Sequence, residues 1–175
     1  MSYDILPYQE LVLYVDTSEN HQQKKARFTA IVEGDGISHL LIPTKSFTSE
    51  LTTFSEMYSM LTALKYIRQN YDFDSLIIVC DCKAVNDAIN GIIKKYKGKH
   101  RDLLNSTKEQ IKKELFGYPF KVIHRSEKDS DHIYACDRIS RTIMNSPQPV
   151  HSTNRAFKRH EWIRQIFSEY NRIFI

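Results

Sequence analysis

Four acidic residues occupy places in this sequence where a charge is costly. Asp16 closes the apolar run LVLYV (11–15), and Asp81 closes DSLIIVCD (74–81). Glu56 lies near the start of the helical stretch SELTTFSEMYSMLTALKYIRQN, and Asp137 sits in YACDRIS beside Ala135, Cys136 and Ile139. Burying a carboxylate costs several kcal/mol unless it is paired or bound to a metal. Such acids with no evident basic partner point to a cation. Ligation by oxygen alone suits Mg²⁺, or Mn²⁺ in its place, rather than Zn²⁺. Two such ions about 4 Å apart form a clamp suited to in-line phosphodiester hydrolysis. Taken singly, each acid has a structural explanation: Glu56 closes a capping box with Thr53, Asp81 caps the next helix, Asp16 starts a turn, and Asp137 pairs with Arg138 or Arg141.

The elements that must position these acids follow from periodicity. The runs at 11–15, 26–33 and 38–43 are spaced as an antiparallel meander, with a turn signal at Gly34-Asp35-Gly36. Phe54, Met57, Leu61, Leu64 and Ile67 recur at helical spacing. The continuous apolar run at 74–81 predicts a strand covered on both faces. KAVNDAINGIIKKY predicts a helix with Val85, Ala88, Ile89, Ile92 and Ile93 on its apolar side, followed by a helix over 101–116. A short strand at 120–125 and a last core helix, IYACDRISRTIM, complete the order β-β-β-α-β-α-α-β-α. That order implies an α/β fold, a mixed sheet of five strands flanked by helices, over residues 1–145. SPQPV (146–150) reads as a linker. The tail, 151–175, is basic and amphipathic. Its near-helical stripe holds Trp162, Ile163, Ile166, Phe167, Tyr170, Ile173 and Phe174, and predicts a helical extension packed on the domain. Self-association or a protein partner at this tail is the alternative.

With 175 residues, 41% hydrophobic and 26% charged, the chain has the make-up of a globular domain with a sizeable core. No stretch approaches the ~20 apolar residues that span a bilayer. MSYDILPYQE lacks the blocks of a signal peptide, and three cysteines read as reduced thiols, so a cytoplasmic location is expected. Cys80 and Cys82 point away from the side that Asp81 faces, which argues against a zinc site with His132 and Cys136. The net charge of +4 is modest, and its local concentration in KKYKGKHR (94–101) matters more.

The ordered set YVDTS, TTFSEMYSMLTALKYI, LIIVCDCKAVNDAI and HIYACDRISR resembles the type 1 ribonuclease H family, of which this chain would be a divergent member. The resemblance covers roughly residues 9–144. It implies that Asp16, Glu56, Asp81 and Asp137 hold two Mg²⁺ ions, and that the substrate is the RNA strand of an RNA–DNA hybrid. One ion would activate a water and the other would stabilise the leaving 3′ oxygen. The resemblance also makes 94–101 a basic handle on the hybrid backbone, with Lys94, Lys95, Lys97, Lys99 and Arg101 around Tyr96. Thr17 stands where the family has Gly, Cys82 where it has Ser, and Ile133 where it has Asn. Thr52 and Thr53 stand where Asn-rich residues touch the hybrid, and with Thr17 they are the further nucleic-acid candidates. The usual loop His is Glu127 here, so His132, His124 or Glu127 takes its place, and His132 joins the catalytic candidates. The same fold serves DNA nucleases, junction resolvases, transposases and non-catalytic binding modules, which are the alternative readings.

Overall fold

The alternating pattern from Leu11 onward builds a longer first strand than its apolar part suggests. In a computed structural model, which describes residues 8–145 and 161–175, β1 runs Glu10–Asn20 and carries Asp16 in its interior, not at its end. Asp16 there faces Thr29 of β2 (Lys25–Gly34), because antiparallel pairing continues out to Asn20 and Lys25. The hairpin closes with Lys24 at φ 53° and with the Gln23 N–H donating to Asn20 Oδ1 at 3.0 Å. Gly36, at φ 69°, supplies the left-handed turn into β3 (Ile37–Ile42).

A two-residue strand, β4 (Phe47–Thr48), leads into α1 (Thr52–Asn70). The capping box expected from Thr53 and Glu56 does not form. The N-cap is Leu51, without a side-chain cap bond, and Glu56 lies beyond the first turn, directed at β1 instead. The predicted stripe is the buried face: Met57, Leu61, Leu64 and Ile67 are all nearly inaccessible. After β5 (Ser75–Cys80), α2 is only Lys83–Ile89. Gly91 at φ 79° ends it, so Ile92, expected on the buried stripe, is 72% exposed. Then follow α3 (Arg101–Leu115), β6 (Phe120–His124) and α4 (Asp131–Asn145).

The seven strands are ordered β6-β5-β1-β2-β3-β7, where β7 is Asn171–Phe174, with β4 paired to β2. The five expected strands are present, and β1, β2 and β3 are antiparallel. The tail adds an element that the helical stripe did not predict. After α5 (Glu161–Glu169), β7 (Asn171–Phe174) pairs parallel with β3. Ile173 and Phe174 are therefore strand residues, and the Ile175 N–H donates to Ile42 O at 3.0 Å. The predicted linker and residues 151–160 of the tail lie outside the described residues.

Period-two alternation along β1 divides the domain into layers. Leu11, Leu13 and Val15 pack with α1, α2 and α3. On the other face, Tyr14 packs with Ile31, Leu40, Ile42 and the α4 residues Ala135, Cys136, Ile139 and Ile143. Ile163 of α5 is fully buried in this second cluster, so the tail helix packs on its own domain. Among the described residues, no helix is long and apolar enough to cross a membrane.

Candidate active site

Strands β1, β5 and β6 run parallel, so their C-terminal ends lie along one edge of the sheet, the edge at which α/β sheets place their ligands. The β1–β5 pairing stops at Val15↔Cys80, so Asp81 follows immediately beside Asp16, while β1 runs on alone along that edge. Asp16 has the parity of Tyr14 and Ser18 and faces α4; Ser18 and Ser140 Oγ share a 2.9 Å hydrogen bond there. Thr17 has the opposite parity and faces α1. Its Oγ1 lies 3.2 Å from Glu56 Oε2 and 2.7 Å from Ser59 Oγ.

The acids sense one another. Asp16 is 5% exposed, and its carboxyl is driven well above the usual range by burial and by the charges of Asp137 and Asp81. The Thr17 backbone and the Arg141 charge offset only part of this. Half-buried Glu56 is likewise held well above its usual value by burial and by Asp16; Glu19 and Asp81 add to this, against the Thr17 hydrogen bond. Burial also raises Asp81, the nearby His124 lowers it, and Glu127 raises it. His124 Nε2 is 3.7 Å from Asp81 Oδ1. Asp137 is 7% exposed; its Oδ1 accepts a 2.9 Å bond from Arg141 Nε, while its buried Oδ2 accepts none. Opposite Asp16 on β2, the buried Thr29 hydroxyl is also unpaired.

Four carboxylates of this kind, one with an orphaned buried oxygen, form a donor set that suits a hard divalent cation. Among the described residues, no three His, Cys, Asp or Glu side chains are gathered closely enough to hold an ion as they stand. Positive charge at Asp137 comes instead from both arginines that the sequence offered, Arg141 at 2.9 Å from Oδ1 and Arg138 at 3.8 Å from Oδ2.

A cleft of about 410 Å³ lies against this region, lined by Thr17, Ser18, Glu19, His21, Thr52, Glu56, Asp137, Arg141 and Met144. It brings together the predicted residues Thr17, Thr52, Glu56 and Asp137. Asp16, Asp81 and Thr53 are not among its lining residues. Glu19, His21 and Arg141 line it without having been singled out as site residues. Alternation carried past Asp16 along β1 was the signal for Glu19, since positions 17 and 19 share the face toward α1.

His132 is not brought to the carboxylates. Its Nε2 donates to Glu33 Oε1 at 2.8 Å, and its ring stacks on Tyr14 with centroids 4.3 Å apart. Tyr170 donates to the same Glu33 oxygen, so His132 ties α4 to β2 and to the tail. His124 is the histidine beside a site carboxylate.

The segment between α2 and α3 is irregular; Lys94, Lys95, Lys97 and Lys99 are all exposed along it, as is Arg101 at the start of α3. Tyr96 differs from them. Its hydroxyl donates to Ala84 O at 3.1 Å, its backbone N–H donates to Asn105 Oδ1 at 2.8 Å, and its ring packs on the main core. Beneath the loop, the buried Lys108 ammonium donates to Lys94 O. Tyr96 thus anchors the loop, leaving the cations free of the core.

No protein-family model matches the chain, and no curated protein matches it significantly. Solved structures do. LC9-RNase H1, described as a type 1 RNase H with the type 2 active-site motif, aligns with TM-score 0.60 at 10% identity, over 91% of this chain and 86% of that one. The N-terminal RNase H domain of rv2228c from Mycobacterium tuberculosis aligns with TM-score 0.58 at 15% identity, over 78% and 94%. LC11-RNase H1, solved in complex with an RNA/DNA hybrid, aligns with TM-score 0.53 at 12% identity, over 77% and 99%. From strand order to helix placement, this chain has the ribonuclease H-like fold.

Proposed function

We propose that the chain is a metal-dependent endoribonuclease that cleaves the RNA strand of RNA–DNA hybrids. The observation that carries this reading is the placing of Asp16, Glu56, Asp81 and Asp137 about one end of β1, where burial and neighbouring carboxylates hold the Asp16 and Glu56 carboxyls well above their usual range, a strain that a bound cation would relieve. These four residues would hold two Mg²⁺ ions, or Mn²⁺ in their place. When bound, such ions would neutralise charge on the attacking and leaving oxygens. Thr17 orients Glu56 from β1, and Arg141 bonds one oxygen of Asp137 while the other, 3.8 Å from Arg138 Nε, accepts no hydrogen bond. His124 faces Asp81 at the exposed edge of the site. The exposed lysines of 94–99 with Arg101 would meet the phosphate backbone, so that affinity falls with salt. The complex of LC11-RNase H1 with a hybrid supports this choice of substrate.

The test is a comparison of labelled RNA–DNA hybrid, duplex DNA, single-stranded RNA and branched DNA, each with Mg²⁺ and with chelator. Metal-dependent cleavage of the hybrid alone is expected. Cleavage of branched or duplex DNA in its place would reassign the substrate. Two observations favour a second reading, a non-catalytic nucleic-acid-binding module: Arg141 already compensates Asp137, and among the described residues no three ligands are gathered. Calorimetry with no heat from Mg²⁺ or Mn²⁺ on folded protein would support that reading.

A further inference from the structure

Thr29 carries a buried hydroxyl that the folded chain leaves unused. The residue is fully inaccessible, and its Oγ1 has no hydrogen-bond partner among the described residues. It stands directly opposite Asp16 in the β1–β2 pairing. Residues so paired share a face of the sheet, with Cβ atoms about 5 Å apart. Thr29 has the parity of Ile31, which packs against α4, whereas Phe28, Ala30 and Val32 belong to the layer of α1. Thr29 and Asp16 thus lie side by side beneath α4. That layer is otherwise largely apolar, built from Ile31, Leu40, Ile42, Cys136 and Ile139. A hydroxyl buried there without a partner costs stability, and valine would have nearly the same shape without that cost.

Asp16 has the complementary deficit. Its carboxyl is bonded by the backbone of Thr17, and by no side chain among the described residues. An ionised carboxylate offers about four acceptor sites. Cations reaching Asp16 would take some of these and leave the others turned toward the sheet. At the spacing of a cross-strand pair, a change of side-chain rotamer carries the Thr29 proton to one of them. We infer that Thr29 is a positioning residue for Asp16: its hydroxyl donates to the Asp16 carboxylate when that carboxylate holds a divalent cation, and fixes the orientation in which the ligand meets the metal. This rests on the reading of the four acids as a metal site, and adds to it a residue that touches neither metal nor substrate. A hydrogen bond behind a ligand governs metal affinity by roughly tenfold or more.

Calorimetric titration of Mg²⁺ and of Mn²⁺ into the full chain tests this with two pairs of proteins, each contrasting a hydroxyl with its absence. The pairs are wild type with Thr29→Val, and Thr29→Ser with Thr29→Ala. Thr29→Val should bind the metal about tenfold more weakly than wild type, and Thr29→Ala more weakly than Thr29→Ser by a similar factor. Melts in chelator should place Thr29→Val at or above wild type, which separates lost support of the ligand from lost folding. In single-turnover cleavage of a hybrid, Thr29→Val should need about tenfold more Mg²⁺ for half its maximal rate and approach the wild-type rate at saturation. A role in packing alone would lower the melting temperature and leave the metal affinity of the folded variants unchanged. Equal metal affinities within each folded pair overturn the role of Thr29 while leaving the metal site standing. If Thr29→Val does not fold, the serine and alanine variants decide by the same criterion. If wild type takes up neither metal, the metal reading fails and the role of Thr29 falls with it.

Discussion

Thr17 on β1 is bonded to Glu56 on α1 across the site: Thr17 Oγ1 stands 3.2 Å from Glu56 Oε2 and 2.7 Å from Ser59 Oγ. A hydroxyl has one proton to give. Ser59 spends its own on Ser55 O at 2.8 Å, so both neighbours of Thr17 compete for that single proton. When Glu56 is ionised, Thr17 donates to it. When Glu56 is protonated, the chain reverses: Glu56 donates to Thr17, and Thr17 to Ser59. Thr17 is thus a proton-sensitive link to a site carboxylate.

Thr17→Val keeps the shape and removes this link. The Thr17 bond holds the Glu56 carboxyl lower than it would otherwise stand, so its loss raises that carboxyl further. The acid limb of the cleavage pH profile should move to higher pH. Activity near neutrality should fall severalfold and recover partly as pH rises. A profile identical to wild type would remove Thr17 from any role at Glu56.

Asp16 predicts an unusual pH dependence of stability. Its carboxyl is raised in the folded chain by burial and by Asp137 and Asp81. The unfolded value is about 3.9. Between those values the native state binds more protons than the unfolded one, so this residue's contribution falls as pH rises. It is fully retained below about pH 4. Without metal, Asp16→Asn should match wild type near pH 4 and be more stable toward neutrality, by roughly 1–3 kcal/mol. Mg²⁺ should then stabilise wild type and leave the variant almost unchanged. Thermal melts in chelator and in Mg²⁺ across that range provide the check, and a wild type that gains on the variant as pH rises contradicts the account.

His132 should matter for stability and not for turnover. His132→Ala loses the 2.8 Å bond to Glu33 and the stack on Tyr14. Together these cost roughly 1–3 kcal/mol. Cleavage at a temperature where the variant is folded should stay close to that of wild type. His124→Ala, beside Asp81, should reduce cleavage with little loss of melting temperature.

The exposed lysines predict a salt signature. Replacing Lys94, Lys95, Lys97 and Lys99 with Ala should weaken hybrid binding and flatten its salt dependence, by roughly one slope unit for each phosphate no longer neutralised. Tyr96→Phe should do neither, because its hydroxyl is spent on Ala84 O; it should lower stability instead.

Local pattern carried much of this molecule, and long-range pairing hid the rest. The helical stripe of Met57, Leu61, Leu64 and Ile67 and the apolar run before Asp81 were legible because periodicity is a property of neighbours in sequence. Asp16, Glu56, Asp81 and Asp137 stood out because charges beside apolar runs are costly. Glu19 did not, since the apolar residues that signal β1 end at Val15. Pairing with β2 extends it through polar residues that carry no strand signal of their own. The helical period of the tail concealed β7 for the same reason: its partner, β3, is remote in sequence. His132 lies close in sequence to Asp137, but Glu33 and Tyr14, which claim it, are brought to it only once the sheet is assembled.

The most direct measurement is single-turnover cleavage of a labelled RNA–DNA hybrid by wild type and by Asp81→Asn, in Mg²⁺ and in chelator. Wild type should cut the RNA strand only with the metal. Asp81→Asn should be slower by at least about a hundredfold while melting within a few degrees of wild type, because partly exposed Asp81 contributes charge and not packing. Wild type that leaves the hybrid intact in Mg²⁺ and Mn²⁺, or a folded Asp81→Asn that cuts at the wild-type rate, would contradict the account.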